Sequence, residues 1–205
     1  MRNFIVTTII IMFLTSCQKE LSPETFSVIS PQINQPAPQQ NPGIFTKYTI
    51  ATGQQYADKN IFKQISYAEL KFAVKFDSSA IYTNSDPNNQ YDINKLYGFS
   101  DNNALHHQFS ARFGWRWSDN ALRLFGYIYN NSIRDSKELG TIAIGTENNC
   151  SIKITPSHYV FTLNGVKDSL PRASATVKAE GYKLYPYFGG DETAPHDIFI
   201  YIKEL

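Results

Sequence analysis

Residues 109–129, FSARFGWRWSDNALRLFGYIY, alternate along their whole length. Phe113, Trp115 and Trp117 fall at every second position, with Arg112, Gly114 and Arg116 between them. Successive side chains on a strand point to opposite faces. The spacing therefore predicts a strand with one ring-bearing face and one cationic face. Ser118-Asp119-Asn120 reads as a turn. The run after it places Leu122, Leu124 and Ile128 on one side and Arg123, Phe125, Tyr127 and Tyr129 on the other. Both faces carry apolar or aromatic groups, which suits the middle of a two-layer sandwich with one face in the core and the other lining a groove. If the tryptophans are core, Arg112 and Arg116 line the groove, and that is the expected arrangement.

The rest of the chain extends this pattern. Residues 68–76 alternate, with Leu70, Phe72, Val74 and Phe76 to one side. A helix would need apolar groups three and four apart, and they do not occur there. Further strands are expected at 45–52, 95–100, 133–144 with an interruption near Ser136, 151–155, 158–163, 182–188 and 198–202. Turn chemistry separates them: Asp-Pro and Asn-Asn in 84–94, Asn130-Asn131-Ser132, and Asn164-Gly165. Residues 53–60 and 166–181 read as loops. Thirteen Tyr and fourteen Phe against two Met favour strands over helices. Many short strands without a convincing helix predict an all-β, two-sheet antiparallel sandwich.

The first 17 residues, MRNFIVTTIIIMFLTSC, are different in kind. A basic residue precedes an apolar run that is too short for a bilayer, which needs about 20 residues. The ending Leu14-Thr15-Ser16-Cys17 resembles the lipobox of bacterial lipoproteins. The resemblance implies cleavage after residue 16 and acylation of Cys17, hence a lipid bilayer as partner. Several acyl chains on one cysteine anchor stably. Gln18-Lys19-Glu20 resembles the short export tag of surface lipoproteins of Bacteroidota, which implies an outer-membrane and cell-surface location. Residues 17–43 contain PQINQPAPQQNPG, whose prolines prevent helix and ladder. They are expected to form a disordered tether. The domain is expected at 44–205.

Several segments then line up in order: KLYGFS at 95–100, FSARFGWRW at 109–117, LFGYIY at 124–129, YVFTLNG at 159–165 and YPYFGGDETAPHDIFIYI at 185–202. Their order resembles the concanavalin-like jelly roll of small polysaccharide lyases of the alginate and glucuronan type. The resemblance covers roughly residues 45–205 and implies a jelly roll with polysaccharide as partner. Residue 97 is Tyr where that pattern has Pro. No acid–base pair of the family is assignable from sequence.

A uronate lyase must neutralise a carboxylate, remove the C5 proton and protonate the leaving oxygen. Arg112, Arg116, His106-His107, Tyr127 and Tyr129 supply the residue types. If His106 and His107 open a strand, only one can face the groove, and His107 is the candidate. Tyr127, Tyr129 and the tryptophans would equally serve a non-catalytic sugar-binding face, or pack in the core. The leading expectation is therefore carbohydrate binding on the concave sheet, with lyase activity and a purely structural or protein-interaction role as alternatives. Asp191, Glu192, His196 and Asp197 form a polar cluster. Concanavalin-like domains often carry structural calcium, so the resemblance offers Asp191 and Asp197 as ligands. The alternative is a polar turn whose carboxylates bond local backbone. Four scattered histidines give no zinc spacing.

Other classes are excluded. There are 19 Lys plus Arg against 18 Asp plus Glu, a net charge of +1. No global field favours nucleic acid, so charge-driven binding must be local. Phosphate-loop, Gly-x-Ser-x-Gly and dinucleotide motifs are missing from the sequence. The cysteines are Cys17 and Cys150. With Cys17 lipidated, Cys150 reads as a small buried hydrophobe.

Overall fold

A computed structural model describes residues 43–205. The signal segment, Cys17 and most of the tether lie outside the described residues. Twelve strands form: β1 (Thr46–Ile50), β2 (Gln64–Tyr67), β3 (Glu69–Phe76), β4 (Asn94–Ser100), β5 (Phe109–Ser118), β6 (Ala121–Asn130), β7 (Ile133–Ile142), β8 (Asn148–Ile154), β9 (His158–Leu163), β10 (Val166–Pro171), β11 (Ala179–Leu184) and β12 (Ile198–Glu204). They build two six-stranded sheets, β1-β12-β3-β8-β9-β10 and β2-β11-β4-β5-β6-β7. All pairings within them are antiparallel. Among the described residues helix is limited to two short 3-10 turns, Ser78–Ala80 and Pro87–Tyr91. No helix among the described residues is long and apolar enough to cross a membrane.

The core lies between the sheets and is built by alternation. Leu70, Phe72, Val74 and Phe76 of β3 are buried, as are Ala111, Phe113 and Trp115 of β5. Trp117 packs half-buried against them. The rings meet across the gap in edge-to-face and tilted pairs. Phe72 meets Phe113 at 5.5 Å, Phe113 meets Phe161 of β9 at 5.4 Å, and Phe76 meets Trp115 at 5.2 Å. Such pairs contribute roughly 0.5–1.5 kcal/mol each beyond their buried area. Cys150 is buried in the same layer, and burial pushes its thiol pKa up.

Register follows from the hairpins. Asp119-Asn120 (φ 52° and 54°), Asn131-Ser132 (52° and 65°) and Asn164-Gly165 (49° and 89°) all take the left-handed region at both central positions. This is the mirror-image turn whose twist matches the flanking strands. It pairs Ser118 with Ala121 and carries an unbroken ladder back to Phe109 opposite Asn130.

The differences from the sequence reading fall mainly at sheet margins. β7 runs unbroken through Ser136; its irregularity lies at Gly140 (φ 142°), where the register against β6 shifts between Leu124 and Phe125. Residues 166–181 are not a loop throughout: β10 pairs with β9, and β11 begins at Ala179. β2 is a short strand that the sequence does not signal. β2, β7 and β10 are edge strands, and β7 is largely exposed. Their polar side chains mark solvent and protected edges rather than breaks. Conversely, β11 ends at Leu184 and not 188, because Tyr185-Pro186-Tyr187 leaves the ladder and touches it only through isolated bridges at Tyr187.

One end of the sandwich is tied by a buried ion pair. Arg172 Nε donates to Asp101 Oδ2 at 2.7 Å, with side chains 1% and 0% exposed. Arg172 Nη2 also donates to Ser174 Oγ at 3.0 Å and to the Thr176 carbonyl at 2.7 Å, while Tyr159 donates to Asp101 at 2.7 Å. Burial alone would raise the pKa of Asp101, but the hydrogen bonds from Arg172 and Tyr159 hold it below the usual carboxylate range. Every strong group here has a partner, so the pair fixes the segment after β10.

Candidate functional site

The outward face of β4, β5, β6 and β11 forms the floor of a cleft of about 590 Å³, within the usual range for ligand sites. The alternation of β5 and β6 places it. With Phe113 and Trp115 in the core, Arg112 must face out; with Leu122, Leu124 and Ile128 in the core, so must Tyr127 and Tyr129. β4 adds Lys95. β11 and the segment after it add Tyr182, Lys183, Tyr185 and Tyr187. The turn before β5 adds His106 and His107, and the loop before β2 adds Tyr56 and Phe62.

Two glycines make room. Gly98 stands opposite Arg112 in the β4–β5 ladder. A Cβ there would lie 2.2 Å from the Ala111 carbonyl oxygen and 2.4 Å from Arg112 Cβ. A Cβ on Gly189 would lie 2.5 Å from Lys95 Nζ. The two cations occupy space that a larger residue at either position would take.

The electrostatics are one-sided. Lys95, Arg112, Arg134 and Lys183 line the cleft, and no Asp or Glu among the described residues does. Lys183 is already neutralised by Glu204. Arg112 is different. It is 7% exposed, has no ion-pair partner among the described residues, and its Nε has no hydrogen-bond partner. Its guanidinium lies over the ring of Tyr127, 5.6 Å from the centroid. Burial lowers its pKa to about 10, with the surrounding tyrosines opposing the shift. Ser110, two residues earlier on the same face, also keeps a buried hydroxyl without a partner. A buried cation and hydroxyl left unmatched are destabilising unless a ligand completes them.

Lys95 and His106 are held toward their neutral forms. Burial, and then Arg112, lower Lys95 to about 8; its ammonium donates to the Ile93 carbonyl at 2.7 Å and lies 4.9 Å from the Tyr127 ring. Burial, Arg112 and His107 lower His106 to about 4. Its Nδ1 is 2.8 Å from the Tyr182 hydroxyl. Tyr127, between the two cations, is pushed up to about 12, chiefly by burial and then by Tyr129. It is a hydrogen-bond donor at any ordinary pH. The cleft therefore offers an unpaired guanidinium, a lysine that can deprotonate near pH 8, a neutral imidazole and a protonated phenol.

Of the residues singled out in the sequence, Arg112, Tyr127, Tyr129 and His107 meet in this cleft. Arg116 does not line it. It shares the face, but its guanidinium donates to the Tyr91 carbonyl at 2.7 Å and to Ser118 Oγ at 3.1 Å, and lies over Phe125. His106 enters as well as His107. Both sit in a turn, not at a strand start, so alternation does not separate them, and their rings are 4.2 Å apart. Lys95, Tyr182 and Tyr187 carried no sequence argument as site residues. The bulge between Lys95 and Tyr97 hides Lys95 from a period-two reading, although it heads the KLYGFS segment.

Asp191 and Asp197 lie in the loop between the cleft and β12. No group of three or more His, Cys, Asp or Glu positioned to hold an ion occurs among the described residues. Asp197 Oδ1 accepts from the Thr52 backbone at 2.8 Å and from its hydroxyl at 3.1 Å. Glu192 accepts backbone N–H groups from Ser85 and Asp86 at 2.9 and 2.8 Å. Asp197 and Glu192 thus staple loops to one another through backbone donors.

No protein-family model matches the chain, and no curated protein matches it by sequence. Solved structures do match in shape. The alginate lyase AlyC3 superimposes with a TM-score of 0.56 at 8% identity, over 78% of this chain and 74% of that one. A glycoside hydrolase family 16 endo-glucanase from Bacteroides ovatus gives 0.52 at 13%, over 78% and 80%. The laminarinase catalytic domain from Thermotoga maritima gives 0.52 at 11%, over 78% and 76%. At these identities the likeness is one of fold, and it establishes the described residues as a concanavalin-like jelly roll.

Proposed function

We propose that the cleft binds an anionic polysaccharide, with a uronate carboxylate seated on Arg112. The observation that carries this reading is the buried guanidinium without a counter-ion at the floor of an acid-free cleft. A planar carboxylate matches the guanidinium fork, and such charge-assisted bonds are the strong ones. Tyrosines surround the position and offer faces for sugar rings. That solved structures sharing this fold are polysaccharide-active enzymes agrees with the reading. Acylation of Cys17 would hold the domain at the outer membrane, with residues 18–43 as a spacer. Removing the thiol in Cys17→Ala should move the protein from the membrane to the soluble fraction; retention there would contradict the anchor.

A second reading, that the cleft also cleaves its ligand, is favoured by Lys95. Two-carboxylate hydrolysis does not suit a cleft without Asp or Glu. β-Elimination does. With Arg112 holding the carboxylate, the neutral Lys95 amine takes the C5 proton. The C4–O bond breaks as the C4–C5 double bond forms, and Tyr127 gives its proton to the departing oxygen. Incubating the full chain with alginate, glucuronan and glycosaminoglycans, while following ultraviolet absorbance of the unsaturated product, tests both readings. Binding without absorbance leaves a non-catalytic module. Rising absorbance, abolished in Lys95→Met, establishes a lyase. Neither binding nor product in any of them removes both.

A further inference from the structure

A second depression, of about 460 Å³, adjoins the cleft and shares Phe62 and Tyr182 with it. Its chemistry is the opposite of its neighbour's. Gln64, Asn103 and Gln108 line it together with Leu105, and it contains no charged side chain. The three amides are exposed and come from three places: β2, the turn after β4, and the turn before β5. Phe62 is 74% exposed and tilted 33° from Tyr182 at 5.6 Å, so one ring face is open to the shelf.

We infer that this shelf is a subsite for an uncharged sugar residue, so that the glycan taken by the cleft alternates charged and uncharged units. The inference rests on the reading of the main cleft as an anionic-glycan site and narrows its substrate class. Amide groups donate and accept together, which matches hydroxyl and N-acetyl groups. Phe62 and Leu105 match C–H faces and methyl groups. A carboxylate brought onto the shelf would give up water with no cation to replace it. A homopolymer of uronates would place one there; a chain with an uncharged unit next to the uronate on Arg112 would not. Discrimination of this kind comes from what the second site fails to satisfy as much as from what it binds.

The test is calorimetric binding of matched hexasaccharides to the full chain: a homopolymeric uronate, and an alternating uronate–N-acetylhexosamine. The alternating chain is expected to bind about tenfold tighter or more. The double variant Gln64→Ala, Gln108→Ala, whose side chains line the shelf and not the cleft, should remove most of that advantage while changing homopolymer affinity by less than about twofold. If the homopolymer binds as tightly as the alternating chain, or the Gln64→Ala, Gln108→Ala variant weakens both alike, the subsite is overturned and the anionic cleft stands. If neither oligosaccharide binds, and Arg112→Ala behaves as wild type, the anionic cleft itself fails and the subsite with it.

Discussion

Arg112 and Arg172 are both buried arginines in the same domain, and they could hardly be served more differently. Arg172 has Asp101, a stacked Tyr159 and the oxygens of the following loop. Arg112 has tyrosine faces and an Nε with nothing to donate to. Burial of a charge is tolerable when partners replace water, and Arg172 shows what that takes in this fold. Arg112 retains the desolvation without the compensation. A fold keeps such a group where something outside the chain completes it. The contrast separates a knot that holds the sandwich from a socket that awaits a ligand.

The largest expected effect breaks the knot. Arg172→Leu leaves Asp101 buried without its counter-ion, and should lower unfolding free energy by about 3–5 kcal/mol. Denaturant titration measures it. A loss under about 1 kcal/mol would mean that the pair is not structural. The Asp101 pKa adds a pH signature. A depressed carboxylate stabilises the fold above its unfolded value, and that contribution disappears as pH falls through the folded value. Acid should therefore destabilise wild type more steeply than an Arg172→Leu, Asp101→Leu double variant.

The socket should respond the other way. Arg112→Met removes an unmatched charge, so the thermal midpoint should hold or rise. Affinity for an anionic glycan should fall by about 2–3 kcal/mol, roughly thirty- to hundredfold. Loss of stability with no loss of affinity would reverse the assignment. Lys95 sharpens the comparison through pH. Its folded pKa of about 8 lies below the ordinary lysine value of 10.5, so the unfolded chain binds more protons between those pH values. Stability should rise with pH across that window, by about 1–3 kcal/mol in wild type relative to Lys95→Met. Equal slopes in the two proteins would place Lys95 in water. The smallest effect is expected at Arg116, whose guanidinium is already bonded within the fold. Arg116→Ala should change glycan affinity by less than about twofold, since it removes no contact to the ligand; a tenfold loss would extend the site to it.

These regions also differ in how far the sequence discloses them. The β5–β6 pair was legible throughout, because one face must be core and the rings at 113 and 115 decide which. That alone placed Arg112, Tyr127 and Tyr129 on one surface. It said nothing of Arg116's engagement with Tyr91, a residue 25 positions away. The imidazole pair was misjudged for a local reason, since residues 106 and 107 lie in a turn where period two does not hold. Lys95 was lost to a bulge, and Tyr182 to a strand that begins at Ala179, inside a stretch that reads as loop. The Arg172–Asp101 knot spans 71 positions and leaves no periodic trace. Alternation reports burial against a core; it is silent on which polar groups meet across the chain.

The depressed lysine on the cleft floor has a thermodynamic consequence of its own. Near pH 8 the empty protein carries Lys95 only partly protonated. A carboxylate arriving beside it favours the charged amine, so occupancy and proton uptake become one event. The heat of association would then depend on the ionisation enthalpy of the buffer, and affinity would weaken as the solution turns alkaline. A protein exposed to a changing medium would hold its anionic cargo more firmly in mild acid than in mild base, without any movement of the fold.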